Sequence, residues 1–138
     1  MQPAKRLQSR QRKAAVRSAA FVLSLLLTMP SALAANAPPS FTKGADQTVG
    51  EDPGAQTVTG WATSISPGEG ESSQTVTFLV EHDNATLFSA QPAIAANGTL
   101  TYTPADNANG AATVTVVLMD DGGTDNGGDD TSDPQTFT

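Results

Sequence analysis

The second half of the chain alternates apolar and polar residues with a period of two. Residues 113–119 (TVTVVLM), 75–80 (TVTFLV) and 99–103 (TLTYT) all show this pattern. A strand that alternates in this way buries one face and leaves the other in water, as in an antiparallel sheet. We therefore predict three strands here. Their inward residues would share one core: Val76, Phe78, Leu100, Tyr102, Val114, Val116 and Leu118.

Weaker runs of the same type cover residues 47–49, 56–65, 86–89 and 135–138, and the second should bulge near Gly60 and Trp61. Turn-forming clusters rich in Gly, Pro, Asn and Asp separate the runs, and no stretch of residues 35–138 has helical periodicity. Short strands at this spacing predict an all-β sandwich of about seven strands.

The last run, QTFT, is shorter than the usual five or six residues. We therefore expect an incomplete final strand, from either a fragment of a longer repeat protein or a truncated reading frame. Part of the edge of strand 113–119 would then stay unpaired, and such an edge can recruit the strand of another chain. This pattern predicts self-association through a strand edge.

The N-terminus has the layout of a Sec signal peptide. Six basic residues and no acid precede an apolar run over residues 19–27, and the Ala-Leu-Ala sequence at 32–34 suits signal peptidase. The run is too short to span a bilayer, which takes roughly 20 residues. We predict a signal peptide over residues 1–34, one domain over residues 35–138, and a secreted or cell-surface location without a permanent membrane span.

Cleavage after Ala34 would make the protein strongly acidic. The remaining 104 of 138 residues hold all 14 acids and only one Lys or Arg, Lys43, which gives a net charge of −13. Such a charge repels nucleic acid and favours metal cations, although it also serves solubility alone. The chain has no cysteine, so neither a disulfide nor a lipoprotein anchor is available.

Several motifs resemble bacterial cadherin-like and immunoglobulin-like tandem repeats. They are NAPPSF at 36–41, VGED at 49–52, NGTLTYTP at 97–104, TVTV at 113–116 and DDGG at 120–123. The resemblance implies a Greek-key sandwich, neighbouring repeats or a cell-surface protein or glycan as partners, and calcium between successive domains. The paired aspartates that this family carries after its second strand are replaced by residues 63–66, TSIS, which lack carboxylates.

Residues 120–133 hold six aspartates among glycines. Calcium takes six to eight oxygen ligands, and flexible glycine lets carboxylates and carbonyls converge. The pattern fits either a calcium site or a solvated loop, because neither EF-hand nor β-roll spacing is present. The candidate calcium ligands are Glu51, Asp52, Asp120, Asp121, Asp125, Asp129 and Asp130.

Enzyme motifs are weak. Glu81, His82 and Asp83 are neighbours on a predicted strand and would not converge, so we expect His82 at the surface. Trp61 fits a core position better than an exposed platform for sugars. We predict a non-enzymatic structural or adhesive module, with a stand-alone secreted calcium-binding protein and a carbohydrate-binding module of an exported enzyme as the alternatives.

Overall fold

The computed structural model describes residues 34–138, so the predicted signal peptide lies outside the described residues except for Ala34. The described part is all-β, as predicted, with two single-turn 3-10 helices at Ala85–Leu87 and Asp125–Gly127. No helix within residues 34–138 has the length and apolar character needed to cross a membrane. The strands are Ser40–Thr42 (β1), Gln56–Val58 (β2), Thr63–Ser66 (β3), Val76–His82 (β4), Phe88–Ile94 (β5), Leu100–Pro104 (β6), Val114–Asp120 (β7) and Gln135–Phe137 (β8).

The strands form antiparallel sheets in the orders β2-β6-β5 and β4-β7-β8, and β1 pairs with β3. β2 and β3 are the two halves of the run predicted over residues 56–65. They separate near Gly60, whose φ of 67° suits glycine. With these halves joined, the order is β1-(β3/β2)-β6-β5 against β4-β7-β8. This is the four-plus-three order of a Greek-key immunoglobulin-like sandwich.

The core is made by the inward residues of both sheets. Along β7, Val114, Val116 and Leu118 are at most 2% exposed and alternate with half-buried neighbours. Phe78 of β4 lies opposite Leu118 in register, and Leu100 of β6 is fully buried. Each such side chain stabilises the fold by about 1.5–3 kcal/mol on burial. All the predicted core residues are buried except Val76, which is partly buried and packs against the core.

Aromatic side chains join the N-terminal and C-terminal strands to this core. The ring of Phe41 meets that of Phe78 edge-on at 5.1 Å between centroids, and Trp61 lies 4.6 Å from Phe137. Trp61 is only 3% exposed, and its Nε1–H donates to the Ala45 carbonyl at 3.0 Å. The predicted core position of Trp61 is therefore confirmed.

Two of the weaker strand predictions are wrong in detail. Residues 85–87 form a 3-10 turn, and the strand begins at Phe88 and continues to Ile94. This strand includes Pro92, which is tolerated because β5 is an edge strand with register shifts around it. Residues 47–49 form no strand, although the Gln47 N–H donates to the Thr138 carbonyl at 2.8 Å.

The edge of β7 is covered, contrary to the prediction. β8 pairs with residues 114–116. Beyond that point the Ser132 N–H donates to Leu118, Met119 bridges to Thr131, and the Asp120 N–H donates to Asp130. The loop before β8 thus supplies the backbone partners that the short strand lacks. Self-association stays a prediction, but it would have to use another strand edge.

Candidate functional site

The structure divides the predicted calcium ligands between the two ends of the sandwich. Asp52 accepts a hydrogen bond from the Asn107 N–H at 2.8 Å, in the loop that leads into Val114 at the start of β7. Asp120 is the last residue of the same strand. Six residues of extended chain separate these ends by about 20 Å. Glu51 and Asp52 therefore cannot share a cation with Asp120, and the seven candidates do not form one site.

The remaining candidates lie at the end marked by Asp120, which we call the Asp120 end. Asp121, Asp125 and Asp129 are exposed and Asp130 is half-buried. Within residues 34–138, no three side chains of His, Cys, Asp or Glu are grouped so that they could hold a metal. A cation here would need amide and carbonyl oxygens in addition to carboxylates, and calcium accepts both.

Asn36, in the lead-in before β1, organises the Asp120 end. Its Nδ2 donates to Asp120 Oδ1 and to the Asp129 carbonyl, each at 2.9 Å. Its Oδ1 accepts from Gln74 Nε2 at 2.8 Å, and its carbonyl accepts from the Asp129 N–H at 3.1 Å. The adjacent Ala37 N–H donates to Glu71 Oε1 at 3.0 Å. Two lead-in residues thereby connect the β3–β4 loop with the end of β7.

Three buried oxygens around this network have no hydrogen-bond partner among the described residues: Asp120 Oδ2, Glu71 Oε2 and Gln74 Oε1. Asp120 is only 4% exposed, and its other oxygen accepts from Asn36 and from the Gly122 N–H at 2.8 Å. A buried carboxylate costs several kcal/mol unless a counter-charge or hydrogen bonds compensate it. The one salt bridge in the described part, between Lys43 and Asp46, does not involve Asp120.

Two glycines make room for this network. Gly122 lies against the side chains of Asn36 and Gln74, and a Cβ there would overlap both. Gly68 lies under the Glu71 carboxyl group with a φ of 137°, so a larger residue would be strained as well as blocked. The close packing of these polar side chains therefore depends on glycine at both positions.

Asp121, the residue after β7, makes a different set of contacts. Its Oδ1 accepts from the Thr75 N–H at 2.9 Å and its Oδ2 from the Thr75 hydroxyl at 2.7 Å. The hydroxyl bond first, and then the backbone bond, hold the pKa of Asp121 below its ordinary value of 3.8. Asp121 thus ties the start of β4 to the end of β7 rather than facing the unpartnered oxygens.

The potential catalytic residues do not converge, as expected. Glu81 and Asp83 are exposed on either side of His82. His82 is half-buried, with its ring 5.5 Å from that of Phe88 and its Nδ1 buried without a partner in the described part. The surface position expected for His82 is therefore wrong. β4 turns it toward the core because it has the same parity as Phe78 and Val80.

Sequence reasoning did not identify three residues that build the Asp120 end: Asn36, Glu71 and Gln74. Glu71 and Gln74 belong to no motif, and Asn36 was noted only as the first residue of the NAPPSF motif at 36–41. The available signal for these residues was the glycine at Gly68 and at Gly122, each next to an acidic residue in the sequence. Close packing of the backbone against polar side chains requires glycine.

Comparisons of the chain with protein-family models, with curated proteins and with solved structures give no match. The resemblance to cadherin-like and immunoglobulin-like repeats therefore depends on the sequence motifs and on the order of the strands.

Proposed function

We propose that the protein is an exported structural or adhesive module of a bacterial surface or secreted protein, stabilised by calcium at the Asp120 end. The observation that carries this proposal is the path of the chain. Near the start of the domain, Asn36 is hydrogen-bonded to Asp120 at one end of β7. In the last strand, Phe137 pairs with Val114 at the opposite end of β7. A chain that enters a domain at one end and leaves at the other can transmit force along its long axis and can be joined in series.

Calcium fits the Asp120 end by its ligand chemistry. Asp120 Oδ2, Glu71 Oε2 and Gln74 Oε1 are two carboxyl oxygens and one amide oxygen, all unpartnered and buried. Calcium binds these oxygen types and completes its shell with backbone carbonyls and water. Zinc is disfavoured, because it prefers Cys and His ligands and the nearest candidates here are oxygens. We assign Asp120, Glu71 and Gln74 as the residues that would hold the ion.

Bound calcium would act on both charge and mechanics. The predicted mature chain carries a net charge of −13, and a divalent cation at its acidic end lowers the self-repulsion. Because Asn36 and Ala37 bind Asp120 and Glu71 directly, an ion shared by these carboxyl groups would fix the lead-in against β7. The direction in which a preceding segment leaves the sandwich would then depend on calcium.

The alternatives make different use of the same features. A stand-alone calcium-binding protein would need the same unpartnered oxygens but no mechanical link to the lead-in. A carbohydrate-binding module needs an accessible aromatic platform, and Trp61, the candidate for it, is buried and bonded to Ala45. We therefore do not propose sugar binding through Trp61.

Small-angle X-ray scattering on two copies of residues 35–138 joined in series tests the proposal. In calcium we expect an extended particle, with a maximum dimension close to twice that of one copy and a narrow distribution. In EDTA the distribution should broaden, because the lead-in of the second copy is released. Asp120→Asn should behave in calcium as the original does in EDTA, and Asp52→Asn, at the opposite end, should behave as the original.

Two outcomes would count against the proposal. A tandem protein that is compact in every condition would refute the end-to-end arrangement. A tandem protein that is extended, and whose calcium response survives equally in Asp120→Asn and Asp52→Asn, would show general screening of charge in place of a site at the Asp120 end.

A further inference from the structure

A cavity of about 490 Å³ opens at the other end of the sandwich, where β7 begins. Its walls come from both sheets and from two loops. Phe88 and Tyr102 belong to one sheet and Val114 and Phe137 to the other, while residues 47–51 and 108–112 form the rim. This volume lies within the 300–1,000 Å³ typical of small-molecule sites, which are concave and mostly apolar with a few polar groups.

Tyr102 gives the cavity a polar group that needs a partner. The residue is 7% exposed, and its hydroxyl is buried with no hydrogen-bond partner among residues 34–138. A tyrosine hydroxyl with its ordinary pKa of 10.0 is already protonated at neutral pH and can donate, and burial raises the pKa of Tyr102 further. An unsatisfied buried hydroxyl is costly, and an acceptor brought into the cavity would remove that cost.

The walls also restrict the kind of molecule that fits. The ring of Phe88 meets that of Tyr102 edge-on at 6.2 Å, which favours a further aromatic ring nearby. Glu51 lies on the rim, and the mature chain is strongly acidic, so an anion would be repelled. The charged groups needed to bind a phosphate or a carboxylate are missing from the cavity lining.

We propose that this cavity binds a neutral, mainly apolar small molecule of aromatic type whose carbonyl or ether oxygen accepts a hydrogen bond from the Tyr102 hydroxyl. The site is separate from the Asp120 end by the length of β7 and does not depend on the proposed function. It adds a ligand-binding role to a domain whose fold by itself implies none.

The test uses two probes of the same shape, 2-acetylnaphthalene, which has a ketone, and 2-isopropenylnaphthalene, which has none. Each is titrated into the protein while amide shifts are followed by NMR. Both should shift Ala112 and Val114, and the ketone should bind more tightly, with a dissociation constant between about 10 μM and 1 mM for a ligand of this size. Amides at the Asp120 end should stay unchanged.

Three variants locate the interaction. Tyr102→Phe keeps the ring and should weaken the binding of the ketone by about three- to tenfold, as expected for one lost hydrogen bond. The affinity for the hydrocarbon should stay unchanged. Ala111→Trp, at an exposed position on the rim, should weaken both probes. Leu79→Ala, on the outer face of β4, is the matched control and should change neither.

Absence of shifts around the cavity with both probes would overturn the proposal. Equal binding of the two probes by the original protein, or equal weakening of both by Tyr102→Phe, would also overturn it, because the hydroxyl would then not select the acceptor. Circular dichroism of each variant establishes that it is folded before the affinities are compared.

Discussion

Two leucines test the packing of the sandwich, because the same substitution should have very different effects at each. Leu118 of β7 is fully buried, whereas Leu79 of β4 is 44% exposed. They lie on neighbouring strands, where Leu118 pairs with Phe78 and Leu79 pairs with Val117. Adjacent residues of a strand face opposite sides, so a shift of either strand by one residue would turn its leucine to the opposite face of the sheet.

Leu118→Ala should reduce the free energy of unfolding by about 3–5 kcal/mol. The substitution removes a completely buried side chain and leaves a cavity between β7 and the opposite sheet, and both terms destabilise. Leu79→Ala leaves no enclosed cavity, and only about half of its side chain is shielded from water. Its cost should be about 1 kcal/mol or less.

Urea unfolding, followed by circular dichroism at neutral pH, measures both values. If the free energy of unfolding falls with urea concentration at a similar slope in the two variants, each unfolds from the same structure. Equal losses for the two variants, or a greater loss for Leu79→Ala, would refute the assigned register and with it the division of β4 and β7 into a core face and an outer face.

Three further predictions test other parts of the molecule. Hydrogen bonds from Thr75 lower the pKa of Asp121 in the folded protein, so the Asp121 carboxylate stabilises the fold above its ordinary pKa of 3.8 and loses this effect as the pH falls through the lower folded value. Asp121→Asn should therefore flatten the fall in melting temperature between pH 5 and pH 2. An unchanged slope would contradict the hydrogen bonds from Thr75. Gly122→Ala should destabilise the protein and release Asn36, whereas Gly50→Ala, where a Cβ meets nothing, should be nearly neutral, and hydrogen exchange of the Asp129 amide reads out the difference. Trp61 fluorescence should resist quenching by acrylamide and should not respond to oligosaccharides, and a strong response to either would place Trp61 at the surface.

Strong alternation made the core predictable. Over residues 113–119 and 75–80 the pattern fixes which face is buried, and β7 and β4 confirm it. The bulge near Gly60 and Trp61 was predictable too, because glycine interrupts an otherwise regular run. The continuation of β5 from residue 90 to Ile94 was not, because Pro92 argues locally against a strand and only its place at a sheet edge makes it acceptable.

The candidate site was predictable only in part. Asp120 was identified because it ends a strong strand and begins an acidic loop. Glu51 and Asp52 were included as candidates because of the family resemblance and the acidic charge of the chain, and the fold places them at the opposite end. Asn36 reaches Asp120 across 84 residues of sequence, Gln74 reaches Asn36 across 38, and no local pattern encodes such contacts. The covering of the β7 edge by residues 130–132 was missed for the same reason.

The calcium-dependent melting temperature of the protein tests the central claim most directly. At a calcium concentration about ten times the dissociation constant, binding should stabilise the folded state by about 1.4 kcal/mol and raise the melting temperature by about 5–10 °C. Millimolar affinity is usual for extracellular modules, so about 10 mM calcium is needed. The rise in melting temperature with calcium should disappear in Asp120→Asn and in Glu71→Gln and should remain in Asp52→Asn. Magnesium should not produce it. An equal increment with magnesium, or one that survives in Asp120→Asn, would contradict a calcium site at the Asp120 end.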